Sequence, residues 1–83
     1  MALTLTFEFH GQLLRLGGAS EQRLPMSAPL TLDAALQALA ELRPELAPVL
    51  ARCACAIGDR LILRRELLQA DTRIALLPPV AGG

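Results

Sequence analysis

Only one stretch of this 83-residue chain carries helical periodicity over several turns, and a proline closes it. Leu32, Ala35, Leu36, Leu39 and Leu42 recur at intervals of three and four, which stacks them on one helical face. Thr31 stands where a hydroxyl can cap the first turn, and Asp33 where the helix dipole is positive. Pro44 disfavours the α conformation at Arg43, so the helix stops there. A chain with one main helix must cover that helix's apolar face with strands.

The strand signals are present. From Ala2 to Phe9 the sequence alternates, with Leu3, Leu5, Phe7 and Phe9 on one face and Thr4, Thr6 and Glu8 on the other. Gly17-Gly18 marks a turn, and residues 22–25 read as the returning strand of an opening hairpin. Leu13, Leu14 and Leu16 make that connection unusually apolar. After the main helix, residues 45–52 predict a second short helical piece, with Pro48 near its first turn. Residues 53–57 and 60–63 flank Gly58-Asp59 as a second hairpin, and residues 66–71 read as a loop. Residues 73–77 form the last strand, aliphatic enough to lie centrally, and Pro78-Pro79 ends it because proline cannot donate to a ladder. The expected fold is α+β: a roll in which a mixed sheet of four to five strands packs on one main helix.

Composition narrows the function. The formal net charge is zero, and the eight cationic residues are all arginine. No basic field is available for nucleic acid, and Phe7 and Phe9 are the whole aromatic complement, too few to stack bases. No apolar run approaches the ~20 residues that span a bilayer. The start of the chain reads neither as a signal peptide nor as an anchor, which gives the expectation of a cytoplasmic protein.

Side chains for ordinary catalysis are scarce. His10 is the one histidine, and lysine and tyrosine are absent. Cys53 and Cys55 lie two apart. A metal would want about four ligands, and alternate strand positions do not favour a disulfide, so they read as small apolar residues with no metal between them.

The informative segment is the ending, Leu76-Leu77-Pro78-Pro79-Val80-Ala81-Gly82-Gly83. Terminal Gly-Gly arises by chance in roughly one chain in 200. The two prolines hold the backbone extended, and from Pro78 onward six residues reach at most ~20 Å. Gly82 and Gly83 lack Cβ atoms, so they can thread a narrow channel. A carboxylate at Gly83 would then reach a buried site in another protein, with Pro78, Pro79, Val80, Ala81 and Gly82 lying in the channel. The plain alternative is a frayed tail. The expected organisation is a domain over residues 1–77 and an extended tail over 78–83.

The order of elements, the Thr31-Leu32-Asp33-Ala34-Ala35-Leu36 helix start, the Ala56-Ile57-Gly58 turn and the LLPPVAGG ending resemble the MoaD/ThiS sulfur-carrier family. The Pro-Pro-Val-x-Gly-Gly ending is most similar to the MoaD side, the small subunit of molybdopterin synthase. Two departures stand out. Ile57-Gly58-Asp59 replaces an Asn-containing turn, and Gln69-Ala70-Asp71-Thr72 replaces a run of acids.

The resemblance implies the ubiquitin-like β-grasp fold and a role without catalytic side chains. A MoeB-like E1 enzyme, using ATP, would adenylate the Gly83 carboxylate. A sulfur donor protein would convert it to a thiocarboxylate. A MoaE-like large subunit, in a heterotetramer, would use that sulfur on the molybdopterin precursor. This makes the chain the sulfur-donor subunit of a sulfurtransferase, with no permanently bound cofactor. The alternatives are a carrier for thiamine or another sulfur pathway, a ubiquitin-like modifier joined to target lysines, and an inert interaction module. Strand alternation further predicts that Leu61 and Leu77, with His10 in the outward register of the first strand, form a partner interface beside the tail.

Overall fold

A computed structural model describes residues 1–79 of the chain. The elements run β1 (Ala2–Phe9), α1 (Gln12–Gly17), β2 (Glu21–Ser27), β3 (Leu30–Thr31), α2 (Leu32–Leu42), a 3-10 turn (Pro44–Leu46), α3 (Ala47–Leu50), β4 (Ala54–Ile57), β5 (Arg60–Ile62), β6 (Leu67–Leu68) and β7 (Thr72–Leu77).

Five strands form one mixed sheet in the order β2-β1-β7-β4-β5. β1 and β7 are parallel, with Phe7 opposite Ile74 and Phe9 opposite Leu76, and the other neighbours are antiparallel. The last strand is therefore central, as its aliphatic content predicts. The predicted main helix is α2. The Thr31 hydroxyl accepts from the Ala34 N–H at 3.1 Å, and Arg43 ends the helix before Pro44. Leu32, Ala35, Leu36 and Leu39 are buried against the inner face of the sheet, which contributes Leu5, Phe7, Ile74 and Leu76. Each large side chain buried there stabilises the fold by about 1.5–3 kcal/mol. Leu42 does not belong with them: it is 51% exposed, because the last turn runs past the edge of the core.

Three expectations need correction. The connection between β1 and β2 is not a plain turn. It contains α1, which Leu13, fully buried, docks on the core, while Leu14 and Leu16 stay exposed. Gly17 comes so close to the Phe9 ring that a Cβ would lie 2.7 Å from it, and Gly18 ends the helix in the left-handed conformation. Residues 66–71 are not wholly loop either. Leu67 and Leu68 form β6, which pairs antiparallel with β3, with Leu30 opposite Leu68. The returning strand β2 is also longer than residues 22–25.

One partly buried arginine ties the tail end of the fold together. The Arg43 guanidinium donates to Gly17 O at 2.8 Å and to Gln22 Oε1 at 3.3 Å, and pairs with Glu45 at 2.8 Å. It satisfies the C-terminal end of α1 from the C-terminal end of α2.

Candidate functional site

β7 carries the chain to the tail. It is hydrogen-bonded on both sides, to β1 up to the Phe9–Leu76 pair and to β4 up to the Ala54–Leu77 pair. A strand gripped by two neighbours gives its end a fixed position, and Pro78-Pro79 then leaves the ladder. Pro78 is half-buried and Pro79 is exposed. Gly11, at φ 54°, makes the bend after β1, and a Cβ there would lie 3.7 Å from Pro78 Cγ. The tail root is thus seated against the end of β1. Val80, Ala81, Gly82 and Gly83, which carry most of the predicted site, lie outside the described residues.

The outer face of the sheet divides along β7. On the β1–β2 side it is charged. Arg73 Nε lies 2.8 Å from Glu8 Oε2, and Arg73 Nη2 lies 2.7 Å from Glu21 Oε2. Glu8 also meets His10 Nε2 at 3.5 Å. On the β4–β5 side it is apolar. The register sets Ala75, Ala56 and Leu61 in one row and Leu77 and Ala54 in the next. Leu61 is 68% exposed, Leu63 60% and Leu77 37%.

The three residues predicted to form an interface lie on the outer side of the sheet. Leu61 and Leu77 lie in the apolar half, two strands apart, or ~10 Å at ordinary strand spacing. His10, just past the end of β1, meets Glu8 on the charged side and lines a groove at the tail root with Leu77 and Pro78. Sequence reasoning missed Leu63, which follows Leu61 by one alternation. It also missed the Arg73 network, which depends on strand register.

The cysteines are buried and free. Burial, followed by the neighbouring Cys55, pushes the Cys53 thiol up to about 11. Burial also raises Cys55. A reactive thiol needs the opposite shift, so this pair is packing material. Among the described residues no helix is long and apolar enough to cross a membrane.

Residues 7–83 match the model of the ThiS family. No curated protein matches significantly. Several solved structures do. SAMP1 from Haloferax volcanii aligns over 96% of this chain and 99% of its own, with a TM-score of 0.83 and 23% identity. A putative molybdopterin converting factor subunit 1 from Pyrococcus furiosus covers 94% of this chain and 99% of its own, at TM-score 0.80 and 13% identity. A chain from the complex of subunits 1 and 2 of molybdopterin-converting factor from Helicobacter pylori covers 98% of this chain and 100% of its own, at 29% identity and TM-score 0.63. The fold is the ubiquitin-like β-grasp.

Proposed function

The chain belongs to the ThiS family, and from that premise we propose that it carries sulfur on the carboxylate of Gly83 and delivers it in molybdopterin biosynthesis. The observation that carries this reading is that the family match runs through residue 83, taking in Gly82-Gly83 together with the sheet. The chemistry needs little from the chain itself. On an E1-like activating enzyme, a carboxylate oxygen attacks the α-phosphorus of ATP, pyrophosphate leaves, and an acyl-adenylate remains. A sulfide-level sulfur nucleophile attacks the acyl carbon, AMP departs, and the thiocarboxylate results. A large subunit then accepts the tail; the thiocarboxylate sulfur attacks a carbon of the pterin precursor and displaces an oxygen leaving group, and water cleaves the acyl–sulfur bond to return the Gly83 carboxylate.

The molybdopterin assignment is supported by the Pro78-Pro79-Val80 stalk before Gly82-Gly83 and by the Helicobacter pylori structure, in which subunit 1 is complexed with subunit 2. The apolar half of the outer sheet face, with Leu61, Leu63 and Leu77, is the surface such a subunit would cover.

A second reading, a ubiquitin-like modifier, is supported by the likeness to an archaeal small modifier protein. It uses the same adenylate but ends on a target amine. The chain has no lysine, so no side-chain amine of a second copy could accept it.

Pyrophosphate exchange with the cognate E1-like enzyme tests the shared first step. The chain is expected to drive ATP–pyrophosphate exchange. Deleting Gly83, or adding a residue after it, is expected to reduce exchange to background while the circular dichroism is unchanged. Full exchange by the extended chain would refute the proposal.

A further inference from the structure

Two grooves flank the root of the tail. One, of about 510 Å³, lies between His10, Gln12 and Arg15 on one wall and Leu77, Pro78 and Pro79 on the other. A smaller one, of about 190 Å³, runs between Gln12, Val49, Arg52 and Pro79. Gln12 and Pro79 belong to both, so the grooves lie on two sides of the same stalk. Neither is lined by an acid.

The arginines of this chain fall into two sets. Arg43, Arg60, Arg64 and Arg73 each face a carboxylate within 4 Å. Among the described residues, Arg15, Arg23, Arg52 and Arg65 have no such partner. All four are exposed. Arg15 and Arg52 are the two that border the stalk. A chain of zero net charge thus presents a local cationic collar where its tail begins.

We propose that this collar docks an acidic rim around the channel of the protein that activates the tail, and so sets which enzyme the tail enters. The inference rests on the carrier reading above and adds the chemistry of the partner's surface. The collar stands at the root of a stalk that reaches at most ~20 Å, so it borders the mouth of any channel the tail enters. Cations at such a rim do not take part in adenylation. They act on encounter and register, where complementary charges raise the association rate and salt weakens them. Hydrophobic contact on the sheet face can hold many partners, whereas paired charges reject those of the wrong sign.

The test measures pyrophosphate exchange with the cognate activating enzyme, varying the carrier concentration and sodium chloride. Arg15→Glu with Arg52→Glu is compared with Arg23→Glu plus Arg65→Glu, which makes the same change in net charge away from the tail. At low salt the collar pair is expected to raise KM for the carrier about tenfold or more, with kcat within about twofold. The control pair is expected to raise KM by less than about threefold. Salt is expected to raise KM for the natural chain and leave the collar variant nearly flat. Arg15→Lys with Arg52→Lys should restore most of the loss, because a rim pair needs charge rather than a bidentate fork. Equal KM changes in the collar and control pairs, or no change in either, would overturn the collar. No exchange with the natural chain would overturn the carrier reading and the collar's partner with it, so the two failures are distinct.

Discussion

The two halves of the outer sheet face are built from the same strand geometry and end in opposite states. On the β1–β2 side, Arg73 meets Glu8 at 2.8 Å and Glu21 at 2.7 Å, across three strands. On the β4–β5 side, Leu61 and Leu63 are more than half exposed, and their neighbours Ala54, Ala56 and Ala75 offer no polar group. The first half pairs Arg73 with two carboxylates, although Arg23 beside it stands exposed without one. The second leaves apolar area in water, where covering it yields about 25 cal/mol for each Å² removed. β7 is the boundary, since its outward residues pass from Arg73 through Ala75 to Leu77 along the direction in which the chain leaves the sheet. A surface that is charged on one side and apolar on the other tells a partner which way to sit around the tail.

The largest expected effect comes from charging the open half. Leu61→Glu together with Leu77→Glu should weaken binding of the large subunit by about 2 kcal/mol or more, because apolar contacts at an interface centre dominate its energy. The fold should lose under about 0.5 kcal/mol per site, since both side chains already face solvent. Calorimetric titration gives the first quantity and urea unfolding the second. Undiminished affinity would erase the distinction between the halves.

A second effect lies beneath the apolar half, where Cys53 and Cys55 face inward. The Cys53 thiol is held neutral in the fold, up to about 11, whereas in the unfolded chain it ionises in the ordinary thiol range. Its contribution to stability is therefore complete below the unfolded value and is lost as pH rises through the folded one. The loss should be on the order of 1 kcal/mol after partial solvent screening is allowed for. The chain has neither lysine nor tyrosine, so Cys55, also raised by burial, is the main other side chain in the alkaline range. Urea midpoints should fall between pH 8 and pH ~11, and the fall should shrink in Cys53→Ala. An equal fall in that variant would assign it to something else.

The smallest effect is on the charged half. Arg73→Ala should cost less than about 1 kcal/mol of stability, less again at high salt, because exposed ion pairs are weak. It should leave large-subunit affinity within about twofold if that half lies outside the interface. A loss of binding equal to that of the leucine variants would make both halves one interface.

How much of this was legible in the sequence depended on how local each signal was. The alternation of β1, the Thr31 cap and the Pro44 stop are each decided within a few residues, and each was read correctly. α1 was missed because its six residues span fewer than two turns, too few for a repeating apolar stripe, and only Leu13 of its leucines is buried. β6 was missed because two residues become a strand only through Leu30 and Thr31, more than thirty positions away. Alternation told correctly which way Leu61 and Leu77 point. It could not tell that His10 and Leu77 would border one groove at the tail root, since the parallel pairing of β1 with β7 is a long-range property. The Gly82-Gly83 ending remains a reading of sequence, lying outside the described residues.

The central claim is that the Gly83 carboxylate carries sulfur. Intact mass of the chain purified from its own cell, under conditions that preserve labile acyl sulfur, tests it most directly. A second species heavier by the difference between sulfur and oxygen is expected, with the added mass confined to the C-terminal peptide. It should disappear when the activating enzyme is deleted. A single unmodified mass, unchanged by that deletion and unaccompanied by conjugates to other proteins, would contradict the account.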